Sequence, residues 1–164
     1  MKLTSSAFSD GGEIPRECGY KNGNKMPNLA ISGLPEGTIS LALIMDDPDA
    51  MGAVGKVWVH WVVWHIIPEE NDYASGTRHD EIENLFMDHS EGTDRYYEGM
   101  TDFGECGYGG PAPPDKRHTY VLKLYALDCK ELTCADGKAT KADLEKAMEG
   151  HIIEQTQLTG TYAP

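Results

Sequence analysis

Apolar residues gather along this chain in short β-branched and aromatic runs, separated by polar stretches rich in Gly and Pro. The first run, Thr38-Ile39-Ser40-Leu41-Ala42-Leu43-Ile44-Met45, predicts a strand that Asp46-Asp47-Pro48-Asp49 brings to an end. The second, from Val57 to Ile67, is apolar at nearly every position and is closed by Pro68. Such a run predicts a central strand buried on both faces. His118 to Leu127 predicts a third strand, and Ile152 to Tyr162 a last one. One segment changes to helical chemistry: Thr140 to Met148, with Thr140 as cap, Asp143 three residues on and Gly150 as stop. It predicts the one clear helix, near residues 140–149. Residues 1–37 read as turns, broken by Gly11-Gly12, Pro15, Asn22-Gly23-Asn24, Pro27 and Pro35. Residues 69–117 are long and polar, and such a length implies short elements or a functional role.

Strand periodicity assigns faces. With a repeat of two, Trp58 and His60 share a face with Val62 and Trp64, and His118 and Tyr120 share one with Leu122 and Leu124. Two histidines on inward faces need partners, because an unpaired buried polar group is destabilising. The plain explanation for each is a core histidine bonded to a backbone carbonyl. The alternative is a shared site, since each lies near the polar end of its strand and close to an unusual loop. One such loop is Asp46-Asp47-Pro48-Asp49, where a carboxylate can hold a histidine's tautomer and charge. The other is Gly107-Tyr108-Gly109-Gly110-Pro111-Ala112-Pro113-Pro114, whose backbone amides are expected to cradle an anion.

Composition narrows the class. The 164 residues suit one domain, 1–164, and the 18 Gly and 9 Pro favour a β-rich fold with few short helices. The charge is −13, from 14 Lys and Arg against 27 Asp and Glu. No basic run exists to neutralise phosphates, which excludes a nucleic-acid binder, and the same sign disfavours anionic membranes. No apolar run reaches the length of a spanning helix, and the N-terminus lacks the apolar core of a secretory signal. A cytoplasmic location is expected. Cys18, Cys106, Cys129 and Cys134 show no Cys-x-x-Cys or zinc-site spacing, so free thiols are expected, with a Cys129–Cys134 pair as the alternative. Asp102-Phe103-Gly104 spells a kinase magnesium motif without its companions. No cofactor is expected.

Several segments taken together carry more than any one alone. Asp47-Pro48-Asp49-Ala50, Trp58-x-His60-Trp61, Tyr108-Gly109-Gly110-Pro111-x-Pro113-Pro114 and His118-x-Tyr120 resemble the signature of the phosphatidylethanolamine-binding-protein family. The resemblance runs from about residue 3 to 162 and is strongest to the bacterial and archaeal branch often labelled Raf-kinase-inhibitor-like. It includes Phe8-Ser9-Asp10-Gly11-Gly12-x-Ile14-Pro15 and Leu124-Tyr125-Ala126-Leu127-Asp128. It implies two antiparallel sheets in a Greek-key β-sandwich, and a surface pocket for phosphate-like or other small anionic groups. Carried over to the matching positions, that pocket involves Asp47, Trp58, His60, Gly110, Pro113, Pro114, His118 and Tyr120. Three departures stand out: Met51 where a proline is usual, Thr119 where an arginine is usual, and the insert Gly52-Ala53-Val54-Gly55-Lys56. Lys56, Lys116 and Arg117 are candidates to replace the lost charge.

The expected function is therefore a binding protein for a small anionic or phosphorylated ligand, rather than an enzyme. A ligand-gated contact with a kinase or protease partner is the regulatory version of that reading. The enzyme alternative is a hydrolase or metal-dependent site using Asp47, His60 and His118. On the binding reading His118 contacts the anion, so its replacement should weaken phosphate-like ligands and leave the fold intact.

Overall fold

The computed structural model describes residues 1–68, 81–83, 85–86, 96–133 and 138–164. Its strands are β1 (Lys2–Thr4), β2 (Gly12–Glu13), β3 (Ala30–Ser32), β4 (Ser40–Asp47), β5 (Trp58–Ile66), β6 (Glu81–Ile82), β7 (Tyr97–Glu98), β8 (His118–Leu127) and β9 (Ile152–Tyr162). The α-helices are α1 (Ala50–Val54) and α2 (Lys141–Met148), and Arg16–Cys18 forms a 3-10 turn. They form a small sheet in the order β1-β3-β6 and a large one in the order β2-β9-β8-β4-β5-β7. Within the large sheet β8 returns by a long connection to lie beside β4, which gives β8-β4-β5-β7 the Greek-key order. Pairing is antiparallel, as expected, except that Gly12 and Glu13 run parallel to Gly160 and Thr161. The turn-rich reading of residues 1–37 missed β1, β2 and β3. Strands of two or three residues are too short to show a periodicity.

Two cores flank the large sheet. One face packs Leu41, Leu43, Met45, Trp61, Tyr120, Leu122 and Leu124 against Leu3 and Ile31 of the small sheet. The other packs Ala42, Ile44, Val62, Trp64 and Leu127 against Leu144 and Met148 of α2. Strands buried on both faces read as continuous apolar runs, and β4 is buried throughout. The helix starts as its residues dictate: Thr140 accepts from the Asp143 backbone while Asp143 accepts from the Thr140 backbone. Gly150, at φ +83°, turns the chain out of the helix into β9. No helix among the described residues is long and apolar enough to cross a membrane.

One local irregularity shapes the site. Met45 pairs with Trp61, but the next residue, Asp46, pairs with Val59, so His60 is an extra residue in β5. This β-bulge reverses the alternation. Trp58 pairs with Asp47 on the side of Trp61, whereas Val59 packs with Val62 and Trp64. The expected grouping of Trp58 and His60 with Val62 and Trp64 is therefore wrong. A strict two-residue repeat cannot show a one-residue insertion.

Candidate functional site

The ends of β4 and β5, with α1 and the loops at 103 and 112–114, enclose a cavity of about 170 Å³. It is lined by Asp47, Ala50, Ala53, Val54, Trp58, His60, Phe103, Ala112 and Pro114. Four of the eight residues expected from sequence, Asp47, Trp58, His60 and Pro114, are thus on its wall. Gly110, His118 and Tyr120 stand behind it, in contact with His60 or Asp47, and Pro113 is buried between Ala112 and Pro114 in the chain. The insert supplies wall rather than slack: it folds as α1, with Gly55 closing it in a left-handed conformation at φ +78°. Met51, in the proline's place, lies exposed on that helix.

His60 is 2% exposed. Its Nδ1 lies 2.7 Å from the Gly109 carbonyl oxygen and 3.1 Å from that of Gly110. Facing two acceptors, Nδ1 must carry the proton, which leaves Nε2 as a lone pair in the cavity the ring lines. Burial holds the His60 pKa below its ordinary value, against the pull of the Gly109 carbonyl and Asp47. The ring is neutral at pH 7 and above.

The Gly109-Gly110 loop works differently from the anion cradle expected of it. The Gly109 N–H donates to the His60 carbonyl at 2.9 Å, and the Gly110 N–H to Asn24 Oδ1 at 2.7 Å. Its amides are engaged internally, and what it offers the site is carbonyl oxygen for His60. The glycines are required by close approach. A Cβ on Gly110 would collide with the Cys18 carbonyl, and one on Gly109 would lie 2.6 Å from the Phe103 ring.

His118 is fully buried. Its Nδ1 lies 2.7 Å from Asp47 Oδ2 and its Nε2 2.9 Å from Asp115 Oδ1. Burial alone would lower its pKa, but the hydrogen bonds to Asp47 and Asp115 outweigh that and hold it above the ordinary value. The imidazolium is clamped between two carboxylates and has no free nitrogen for a ligand. Asp47 also accepts the Ala50 N–H at 3.1 Å, fixing the start of α1. The sequence reading overlooked Asp115, although its position three residues before His118 is a usable signal.

Charge at the cavity is correspondingly low. Among the described residues, no Lys or Arg is on its wall. Lys56 binds Asp102 at 2.6 Å and lies over the Trp58 ring, while Arg117 reaches Glu13 and Thr161. Neither replaces the missing arginine. Asp102-Phe103-Gly104 serves architecture here: Asp102 accepts the Val59 N–H, and Phe103 stacks on Tyr20 at 4.1 Å while forming cavity wall.

Among the described residues, Trp58 Nε1, on a wall residue, is a buried donor without a hydrogen-bond partner. Tyr120 neighbours Asp47 and Ala112, both on the wall, and packs edge-on to His60 at 5.1 Å. Asp47, His60 and His118 do not form the metal-ligand cluster considered from sequence. His118 has both nitrogens on carboxylates, and His60 Nδ1 is held by carbonyls. Cys18 and Cys129 carry free thiols, and Cys134 lies outside the described residues.

A two-sheet β-fold with a small, largely apolar cavity at its strand ends, holding one neutral histidine and one carboxylate, defines a binding-protein class. The chain belongs to the phosphatidylethanolamine-binding protein family, whose model matches residues 4–163. A UPF0098 protein of Methanothermobacter thermautotrophicus is 38% identical over 162 residues, covering 99% of this chain and 98% of that one. A UPF0098 protein of Chlamydia trachomatis is 37% identical over 164 residues, with 99% and 98% covered. Among solved structures, the Chlamydia trachomatis homologue CT736 aligns with a TM-score of 0.78 at 33% identity, covering 98% of this chain and 95% of that one. YbcL of E. coli, described as a member of the mammalian PEBP family, aligns with a TM-score of 0.79 at 28% identity, covering 98% and 96%.

Proposed function

We propose that this is a binding protein whose cavity takes a small phosphate-like head group in its singly protonated form. The observation that carries this reading is the fixed orientation of His60. With Nδ1 bonded to Gly109 and Gly110, a neutral ring offers Nε2 as an acceptor beside the Asp47 carboxylate. Two acceptors select a ligand that brings its own proton. A P–OH group donates to Nε2, and the remaining phosphate oxygens accept from donors such as Trp58 Nε1, which lacks a partner among the described residues. A dianion would meet Asp47 without a compensating cation on the wall. Gly110, Pro113, His118 and Tyr120 support the site from behind.

The test is calorimetric titration of wild type and His60→Asn with methyl phosphate, inorganic phosphate and acetate. Asn keeps an N–H for the Gly109 carbonyl and removes the Nε2 acceptor. A phosphomonoester with a second pKa near 6 is mostly monoanion at about pH 5.5 and only a few per cent so at about pH 7.5. The ligand's ionisation alone should therefore make wild type bind methyl phosphate about twentyfold more tightly at the lower pH. His60→Asn should weaken it by about 1.5–3 kcal/mol at that pH, as loss of a charge-assisted hydrogen bond does. Equal affinity in the variant, or tighter binding at the higher pH, would refute the reading. A regulatory version has one observation in its favour: Val54, on the cavity wall, is 51% exposed and shares α1 with Met51, 53% exposed, an apolar surface where an occupied cavity would alter what a kinase or protease partner meets.

A further inference from the structure

The opposite end of the sheet holds a second cluster. β8 runs ten residues from His118, about 33 Å at a strand's rise, before the chain reaches Asp128. There Asp128, Cys129 and His151 each bring one ligand atom to within 4.8 Å of the others. His151 Nδ1 already lies 2.8 Å from Asp128 Oδ1. Exposed acidic groups often meet by chance, but the backbone holds all three of these residues in place. The Asp128 N–H donates to the His151 carbonyl at 3.0 Å. The His151 N–H donates to the Met148 carbonyl at 3.0 Å, and the Cys129 carbonyl accepts from the fully buried Ser40 hydroxyl at 2.6 Å. Rigid anchoring of this kind is what a preformed ligand set needs.

We propose that Asp128, Cys129 and His151 form a surface site for a divalent transition-metal ion of the zinc class. One oxygen, one sulfur and one nitrogen donor suit zinc, whereas calcium and magnesium take oxygen alone. Zinc bonds of about 2.0–2.3 Å place tetrahedral ligands roughly 3.5 Å apart, so the present spacing closes with side-chain shifts of about an ångström. Asp128 and His151 are exposed and free to make that shift. On binding, the Cys129 sulfur–metal bond forms as the thiol proton leaves to water, and the ion replaces the Asp128–His151 hydrogen bond as the His151 Nδ1 proton moves through water to Nε2, freeing the Nδ1 lone pair. Three protein ligands leave the fourth position to water. The C-terminal end of α2 lies three residues before His151 and adds partial negative charge, and the net charge of −13 favours cations generally. A Cys–His–Asp nucleophile fits less well, because burial and then the Asp128 charge hold the Cys129 thiol above its ordinary pKa. The other sulfur pairing, Cys106 Sγ to Met100 Sδ at 3.4 Å, is a separate soft-donor pair and serves as the control.

The experiment titrates reduced, metal-free full-length protein with Co²⁺ and follows the thiolate-to-cobalt charge-transfer band. One ion per chain should give the band, and Zn²⁺ should displace it. Cys129→Ser should abolish the band, His151→Ala should weaken binding by more than about tenfold, and Cys106→Ser should leave both unchanged. Circular dichroism checks that each variant is folded. Absence of the band in wild type, its survival in Cys129→Ser, or unchanged affinity in His151→Ala would overturn the assignment.

Discussion

Replacing His118 by Leu should destabilise the protein by about 3–5 kcal/mol at about pH 6, the range for breaking a buried ion pair. Leu fills the imidazole's volume, so the loss is electrostatic rather than a cavity. It leaves the Asp47 carboxylate, with its side chain 4% exposed, without the partner now 2.7 Å away. The lost charge-assisted hydrogen bond accounts for about 1.5–3 kcal/mol, and desolvation of the orphaned carboxylate for the rest. Asp115 adds little, since its side chain is 48% exposed and returns to water. For a chain of this size the melting temperature should fall by roughly 6–20 °C. The pH dependence supplies a sharper signature. The folded-state pKa of His118 lies above its unfolded value of about 6.5. Its contribution is therefore complete below about pH 6.5 and is lost as pH rises through the higher folded value. Urea unfolding of wild type should show that decline, and His118→Leu should not. A variant within about 1 kcal/mol of wild type at pH 6, or one with the same pH slope, would refute the clamp and restore the view of His118 as a ligand contact that can be removed without harm to the fold.

Two further outcomes test the framework around the cavity. Gly110→Ala should lower the urea midpoint by the equivalent of about 1–3 kcal/mol or more, because its methyl group meets the Cys18 carbonyl and the Tyr20 backbone nitrogen. A stable variant would show that the loop can give way. Thr140→Ala should cost about 1 kcal/mol through loss of the Asp143 cap, read as a lower thermal midpoint. No change there would mean that α2 is held by Leu144 and Met148 alone.

The four long strands and α2 were legible in the chain alone, because each carries its own local pattern. Apolar runs buried on both faces mark β4 and β5, an alternating apolar run marks β8, and the Thr140–Asp143 pair marks the start of α2. The family was legible too, because segments far apart in the chain together match one signature. What the chain alone could not supply was the division of labour among the matched residues. Asp47, Trp58 and His60 face the cavity, while His118, of the same residue type as His60, is sealed behind it by Asp47 and Asp115. That outcome depends on a one-residue bulge at His60 and on contacts across 71 residues of chain between Asp47 and His118. Residue types report which groups can ionise or donate. Only the packing around them decides which are turned toward a ligand, which are already bonded, and so which charge the site presents.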